Sequence, residues 1–280
     1  MNYSPKKMQE LLSKNGFNFK KMFGQNFIID ENIIQSIIRK ADIDKDTLVL
    51  EIGPGAGSLT YLLSDAAKEV VCFEIDTNLK PILEDVLKDK KNVSIYFEDF
   101  LKVNVQEILE KHSYKKLYVV ANLPYYITTP IVMKIIEDKI PVDRLVIMVQ
   151  KEVGDRFKAT PGSKDYSSLS VFLNYYFDIT KLLDVSRNVF LPKPNVDSIV
   201  IQMKRKEVLE SLTNEQFFFQ LIRSSFQQKR KTLRNNLRSY DLVQIEEVLK
   251  KFNLDLNVRA EQIPIHVFVE IANNYNEKRP

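Results

Sequence analysis

Between residues 47 and 150 the chain alternates short, nearly continuous apolar runs with stretches whose apolar positions recur at helical spacing. TLVLEI (47–52), EVVCFEI (69–75), VSIYF (93–97), KLYVVAN (116–122) and RLVIMVQ (144–150) are rich in Val, Ile, Leu and Tyr and predict buried strands. Runs that lack a polar alternation suit parallel strands covered on both faces. Helices are predicted between them, over 57–66, 77–88, 104–111 and 129–138. An earlier helix is predicted over 31–40, where Asp30 can cap the first turn and Ile33, Ile34, Ile37 and Ile38 fall on one face. Strand and helix in strict alternation imply an α/β fold with a mostly parallel, doubly wound sheet.

The pattern changes after residue 165. YSSLSVFLNYYF (166–177) predicts a helix, and DITKLLDV (178–185) and VDSIVIQM (196–203) predict two strands flanking NVFLPKPN. From about 205 onward only helices are predicted, over 214–226, 228–238, 243–252 and 265–274, and this region contains no glycine. The expected organisation is therefore an α/β domain over 1–204 and a small all-helical domain over 205–280.

Composition narrows the class. The chain has 280 residues, 44% hydrophobic and 28% charged, which excludes disordered and fibrous proteins. No apolar run approaches the ~18 residues that cross a bilayer, and the N-terminus lacks the apolar centre of a signal peptide, so a cytoplasmic protein with no membrane partner is expected. The single cysteine, Cys72, excludes a disulfide framework, and with only His112 and His266 beside it no Cys/His metal site is expected.

Two compositional features are more pointed. Glycine numbers only 7, and three of them, Gly53, Gly55 and Gly57, fall within five residues. The net charge of +4 is unevenly spread: residues 1–200 carry 27 basic and 27 acidic side chains, residues 201–280 carry 14 and 10. Within that last part Arg223, Lys229, Arg230, Lys231, Arg234 and Arg238 follow one another without an intervening acid, and at helical spacing Arg223, Arg230, Arg234 and Arg238 share a face. Like charges at i, i+4 oppose the helix that carries them, and a polyanionic partner such as RNA supplies a reason for them.

The glycines lie in EIGPGAGSLT (51–60), directly after the first predicted strand and at the start of a helix. Glycine there permits a tight turn and close approach of a ligand to the backbone. Glu74 ends the next strand, 21 residues after Gly53, where a carboxylate can accept from both hydroxyls of a ribose. Dinucleotide folds usually show G-x-G-x-x-G, whereas this loop reads G-x-G-x-G behind Glu51, which resembles the first motif of S-adenosylmethionine-dependent methyltransferases. On this loop alone a nicotinamide-dependent oxidoreductase stays open.

The fourth strand ends in ANLPYYITTP (121–130), at the carboxyl edge where open α/β sheets bind their ligands. Asn-Leu-Pro-Tyr resembles the [D/N/S]-P-P-[Y/F] motif of amino-methyltransferases that act on planar nitrogen. The amine of adenine is a poor nucleophile because its lone pair is delocalised into the ring. Acceptors aimed at its two N–H groups, the Asn122 side-chain oxygen and the Leu123 carbonyl, would favour a pyramidal nitrogen. Pro124 stiffens the turn, and Tyr125 offers a face for an unstacked base.

Taken in order, these blocks resemble the KsgA group of ribosomal RNA small-subunit adenine N6-dimethyltransferases along nearly the whole chain. FGQNFIID (23–30) resembles the family's F-G-Q-[NH]-F-L segment, with Ile28 where leucine is usual. EIGPGAGSLT, Glu74, EDF (98–100) and NLPYYITTP follow, then QKEVGDRF (150–157), PGSKDYSSLSV (161–171), FLPKPNVDS (190–198) and FQQKRKTLRNNL (226–237). The resemblance implies a Rossmann-like class I methyltransferase sheet, S-adenosyl-L-methionine as cofactor with S-adenosyl-L-homocysteine as product, and no metal. It implies dimethylation of two adjacent adenosines near the 3′ end of 16S rRNA, a role in 30S biogenesis, and a monomer partnered by small-subunit rRNA or the 30S particle.

Residue by residue, the resemblance puts Asn26 and Ile28 on the cofactor, Gly53 beside its methionine portion, Glu74 at the ribose and Asp99 on the adenine amine, with Glu51, Gly55, Gly57, Ile75 and Phe100 as further cofactor-binding residues. Gln25 is either a further cofactor contact or a linking hydrogen bond. Asn122 would hold both cofactor and target amine, and Tyr125 and Phe190 would sandwich the target adenine. The 23S rRNA methyltransferases of macrolide resistance share the glycine and NLPY motifs; PGSKDYSSLSV together with FQQKRKTLRNNL favours the small-subunit group. A non-catalytic RNA- or DNA-binding factor on the same fold is the rival from another class.

Overall fold

The computed structural model describes residues 5–17, 19, 25–207 and 209–276, without the side chains of 5–7, 125 and 126. It divides into two compact units, residues 1–154 with 180–205, and residues 155–179 with 206–280. Among the described residues no helix is long and apolar enough to cross a membrane.

The first unit is built on the predicted alternation. Strands β2 (Thr47–Ile52), β3 (Glu69–Phe73), β4 (Val93–Tyr96), β5 (Lys116–Asn122) and β6 (Arg144–Gln150) lie parallel in the order β4-β3-β2-β5-β6. The sheet continues through β9 (Ser198–Arg205), antiparallel to β6, to β7 (Phe177–Val185), making seven strands. β2 is buried along its whole length, which its TLVLEI sequence required. The helices α2 (Glu31–Lys40), α3 (Ser58–Ala66), α4 (Lys80–Leu87), α5 (Val105–Leu109) and α6 (Tyr125–Glu137) connect the strands. Asp30 caps α2 as expected, accepting from the Asn32 N–H at 2.9 Å and the Ile33 N–H at 3.3 Å. α6 starts four residues earlier than predicted, because Pro124 occupies its N-cap with φ −58° and needs no N–H there.

A second, two-stranded sheet pairs β1 (Phe27–Ile28) antiparallel with β8 (Phe190–Leu191). Neither strand is legible as a periodic pattern, since two residues carry no period. Near it α1 (Pro5–Lys14) buries Met8 and Leu12 in a cluster with Phe27, Ala56, Leu79, Ile82 and Leu83.

The second unit is helical, but it recruits residues 155–179, which the expected division at 204 leaves in the larger domain. The reason is aromatic packing. α8 (Ser168–Tyr176) sets Phe172 4.8 Å from Phe219 of α9 (Glu215–Ser225), and Tyr175 5.1 Å from Phe218, ring centroid to centroid. The Tyr176 hydroxyl donates to Glu215 at 2.7 Å. α11 (Leu242–Lys251) and α12 (Ile265–Asn274) complete the unit together with a single turn, α10 (Leu233–Asn236). α7 (Lys151–Phe157) was not predicted as a separate helix.

The continuous basic helix expected over 228–238 is not formed. α9 ends at Ser225, the chain passes through turns, and only Leu233–Asn236 is helical. Longer-range bonds divert the backbone. The Leu233 N–H donates to Val258 O at 2.9 Å, the Arg234 N–H to Leu256 O at 3.0 Å, and the largely buried Asn236 amide to Ser225 O at 2.7 Å. The side chain of Asn236 thereby satisfies a carbonyl that a continuing helix would have used. Arg223, Arg230, Arg234 and Arg238 therefore do not share one helical face.

Candidate active site

The carboxyl ends of β2, β3 and β5 open into a cavity of about 380 Å³ in the first unit. Of the residues singled out in the sequence, Gln25, Asn26, Ile28, Glu51, Gly53, Gly55, Glu74, Ile75, Asp99, Phe100, Asn122, Leu123, Pro124 and Phe190 line it. Gly57 does not; it caps α3 at φ +82°, against Leu83 and Val86. The side chain of Tyr125 lies outside the described residues, so its stacking role remains an expectation; its backbone opens α6.

The glycine loop is shaped for a ligand. Gly53 has φ +72°, and a Cβ built on it would meet nothing within 4 Å, so its bare backbone faces open space. Gly55 is constrained differently: at φ +59°, a Cβ would come within 2.8 Å of the Phe27 ring, which lies across the loop. Phe27 and Leu191 face each other in the β1–β8 pair, the Ser58 hydroxyl donates to Ile28 O at 2.8 Å, and the Ile29 N–H donates to Val189 O at 2.9 Å. The segment 25–29 is thus strapped over the glycine turn.

The carboxylates have separate environments. Glu74, 5% exposed, accepts from the Gly55 N–H at 3.1 Å through Oε2 and from the Asp76 N–H at 2.8 Å through Oε1. Burial raises its pKa, and those two N–H groups oppose the shift. Each oxygen has a lone pair left for a hydroxyl donor. Glu51 is 1% exposed; its Oε1 has no partner and its Oε2 accepts from the Cys72 thiol at 3.6 Å. Burial pushes Glu51 up to about 8, with the nearby Glu74 acting in the same direction. The Cys72 thiol is likewise raised by burial and by Glu51, which makes it inert. Asp99 caps its own turn, accepting from the Leu101 N–H at 3.0 Å. Glu98 also reaches the wall, so four acids line the cavity and, among the described residues, no Lys, Arg or His does.

A pH dependence follows. The folded chain keeps Glu51 protonated up to about 8, whereas the unfolded chain ionises it near its ordinary value of 4.5. The associated stability is complete below the ordinary value and is lost as pH rises towards 8. Thermal unfolding of the ligand-free protein is expected to show Tm falling between pH 5 and 8, with Glu51→Gln showing a visibly flatter profile. Parallel profiles for the two proteins would contradict the buried, protonated state.

Asn122 ends β5, and its Nδ2 donates to the Asn26 carbonyl at 2.8 Å. A carbonyl can only accept, so the amide nitrogen must face Asn26 and the Oδ1 acceptor must face away from it. Leu123 follows, with its N–H bonded to Met148 O at 3.3 Å. Phe190 lines the cavity while only 4% exposed, paired with Ile28 and packed in the core.

Sequence reasoning missed Asp76 and Phe27. Phe27 is found through Gly55, whose missing side chain its ring replaces. Asp76, only 2% exposed, accepts from Gln25 Nε2 at 2.8 Å and caps the turn Thr77–Leu79 through the Asn78 N–H at 3.2 Å. Gln25 therefore does make a linking hydrogen bond, and it also reaches the cavity wall. In the second unit Arg223, Lys229, Arg230, Lys231, Arg234 and Arg238 are all exposed. Lys229 donates to Lys164 O at 2.6 Å, and Arg234 lies 3.8 Å from Glu246.

Comparison with known proteins is consistent with this geometry. Residues 16–277 match the family model "Ribosomal RNA adenine dimethylase". The chain is 48% identical to ribosomal RNA small subunit methyltransferase A of Staphylococcus aureus strain RF122, over 99% of this chain and 95% of that one. A crystal structure of a dimethyladenosine transferase from Plasmodium falciparum superposes with a TM-score of 0.72 at 27% identity, covering 88% of this chain and 95% of that one. The 23S rRNA methyltransferase ErmE superposes with a TM-score of 0.66 at 23% identity, over 90% and 100% respectively, a likeness of fold.

Proposed function

Because the chain belongs to the ribosomal RNA adenine dimethylase family, we propose that it dimethylates N6 of two adjacent adenosines near the 3′ end of 16S rRNA, using S-adenosyl-L-methionine, and takes part in 30S biogenesis in the cytoplasm. The observation that carries the reading is Asn122: its Nδ2 is turned to the Asn26 carbonyl, which directs Oδ1 away from that carbonyl as the acceptor for an incoming amine.

The residues present fit the cofactor. Gly53 leaves open backbone beside the cavity, Glu74 offers two oxygens to vicinal hydroxyls, Ile75 is 50% exposed as an apolar platform, and Glu51 carries a buried oxygen without a partner. Gln25, Asn26, Ile28, Glu51, Gly53, Glu74, Ile75, Asp99, Phe100 and Asn122 would hold it. When bound it supplies a methyl group on a sulfonium centre.

The protein's own task is orientation. Asn122 Oδ1 and the Leu123 carbonyl accept the two N–H groups of the adenine amine and draw its lone pair out of conjugation. Pro124 fixes the turn, and Tyr125 and Phe190 bracket the base, which is presented unpaired. No strong general base is required, because the amine proton leaves after transfer to a nitrogen that has become cationic. A pocket used twice must also accept the monomethylated amine.

The exposed cations of the second unit, Arg223, Lys229, Arg230, Lys231, Arg234 and Arg238, serve as the phosphate-binding surface. The protein acts as a monomer on a 30S particle. The test is methylation of deproteinised rRNA and of 30S particles from an unmethylated strain, with modified positions mapped. Two adjacent dimethyladenosines near the 3′ end are expected; modification elsewhere, or none, overturns the reading.

A further inference from the structure

Asp76 lies outside every motif that assigns the site, yet the described bonds converge on it. Its N–H donates to Glu74 Oε1 at 2.8 Å. Its Oδ1 accepts from the Asn78 N–H at 3.2 Å and from Asn78 Nδ2 at 2.7 Å, which fixes the turn that leads into α4. Its Oδ2 accepts from Gln25 Nε2 at 2.8 Å, across 51 positions of sequence. Asp76 is only 2% exposed; its bond to Glu74 is buried and those to Gln25 and Asn78 are partly so, which limits competition from water.

We propose that Asp76 is a positioning residue for the methyl donor: its side chain holds the Glu74 carboxylate and the segment 25–29 in one arrangement, and Gln25 acts through it. The inference rests on the reading of the cavity as an S-adenosyl site. The two carboxylate oxygens of this one side chain work in different directions. Oδ1 sets the backbone at 76–78, and that backbone aims the N–H at Glu74, leaving the carboxylate's remaining lone pairs directed at a ribose. Oδ2 anchors Gln25, the residue next to Asn26, whose carbonyl orients the Asn122 amide. One aspartate thereby couples the hydroxyl-binding carboxylate to the acceptor that meets the amine. Asp76 itself lies outside the cavity wall, so it acts through Glu74 and Gln25, and donor binding reads its effect directly.

The polarity of the Gln25–Asp76 bond supplies the test. Gln25→Glu opposes two carboxylates and is expected to weaken donor binding by roughly tenfold, the loss of a charge-assisted hydrogen bond. Asp76→Asn alone is expected to cost less, since the Gln25 amide can turn and present its oxygen. The double variant Gln25→Glu, Asp76→Asn restores a bond of reversed polarity and is expected to recover most of the affinity that Gln25→Glu loses. Binding of S-adenosylhomocysteine by calorimetry and KM for S-adenosylmethionine are the readouts, with KM for the RNA expected within about twofold of wild type. Gln25→Glu binding as wild type, or a double variant no better than Gln25→Glu, overturns the proposal. Failure of the unsubstituted protein to bind S-adenosylhomocysteine overturns instead the reading of the cavity. Thermal unfolding of all four proteins separates a folding defect: rescue of affinity without a parallel shift in Tm supports positioning, and loss that follows Tm throughout refutes it.

Discussion

Asn122→Ala is expected to reduce methyl transfer by about a hundredfold or more, the cost of removing one preorganised acceptor from a transition state in which charge develops. The variant deletes Oδ1 and also frees the Asn26 carbonyl that the amide had engaged. RNA affinity is expected to stay within about twofold of wild type, because Asn122 belongs to the first unit and the proposed phosphate contacts to the second. Single-turnover kinetics with saturating RNA and donor isolates the transfer step. Asn122→Asp is the sharper companion: its carboxylate keeps an acceptor for the amine but cannot donate to Asn26 O. A single-turnover rate for Asn122→Ala close to wild type would remove Asn122 from the chemistry.

Replacing Arg230 and Arg234 together by Ala is expected to weaken RNA binding roughly tenfold at moderate salt and to make the plot of log K against log salt shallower by about 1.5, two phosphate contacts' worth of released counterions. Both side chains are exposed, so the folded state should tolerate their loss. Arg234 forms only a long contact of 3.8 Å to a partly exposed Glu246, which contributes little to stability. The turns at 226–232 change what such a surface can be. A straight helix would display its cations as one stripe, matched to one groove; here Arg230 and Lys231 stand on a turn and Arg234 on the short helix that follows. Unchanged slope and affinity would show that the cluster is an ordinary solvated face.

The sheet was legible because its evidence is local. TLVLEI, KLYVVAN and RLVIMVQ carry no polar alternation, and burial on both faces is the environment that tolerates this. The glycine turn was legible for the same reason: positive φ at Gly53 and Gly55 leaves a mark on the residue that adopts it. What escaped the sequence was bonding at a distance. FQQKRKTLRNNL has helical spacing, and nothing within it reveals that the N–H groups of Leu233 and Arg234 are taken by Val258 and Leu256 respectively, or that Asn236 reaches back to Ser225. YSSLSVFLNYYF has the spacing of the helix it forms over Ser168–Tyr176, but its grouping with the second unit escapes the local pattern, because its aromatic partners Phe218 and Phe219 lie some forty residues on. Asp76 reads as an ordinary turn residue until Gln25 is seen beside it.

The cavity wall carries four acids and, among the described residues, no base, since the exposed Lys102 that lies 3.8 Å from Asp99 is not part of it; this has a consequence for competition inside a cell. Adenine nucleotides share their base and ribose with the proposed methyl donor and are far more abundant than most cofactors. Each of them brings several negative charges, which would meet Glu74, Asp99 and Glu98 in a partly desolvated recess with no cation on its described wall to receive them. A zwitterion with an added sulfonium charge meets no such barrier. Discrimination against the commonest look-alikes then requires no dedicated recognition of the difference; the unmatched charge of the wall rejects them at the entrance.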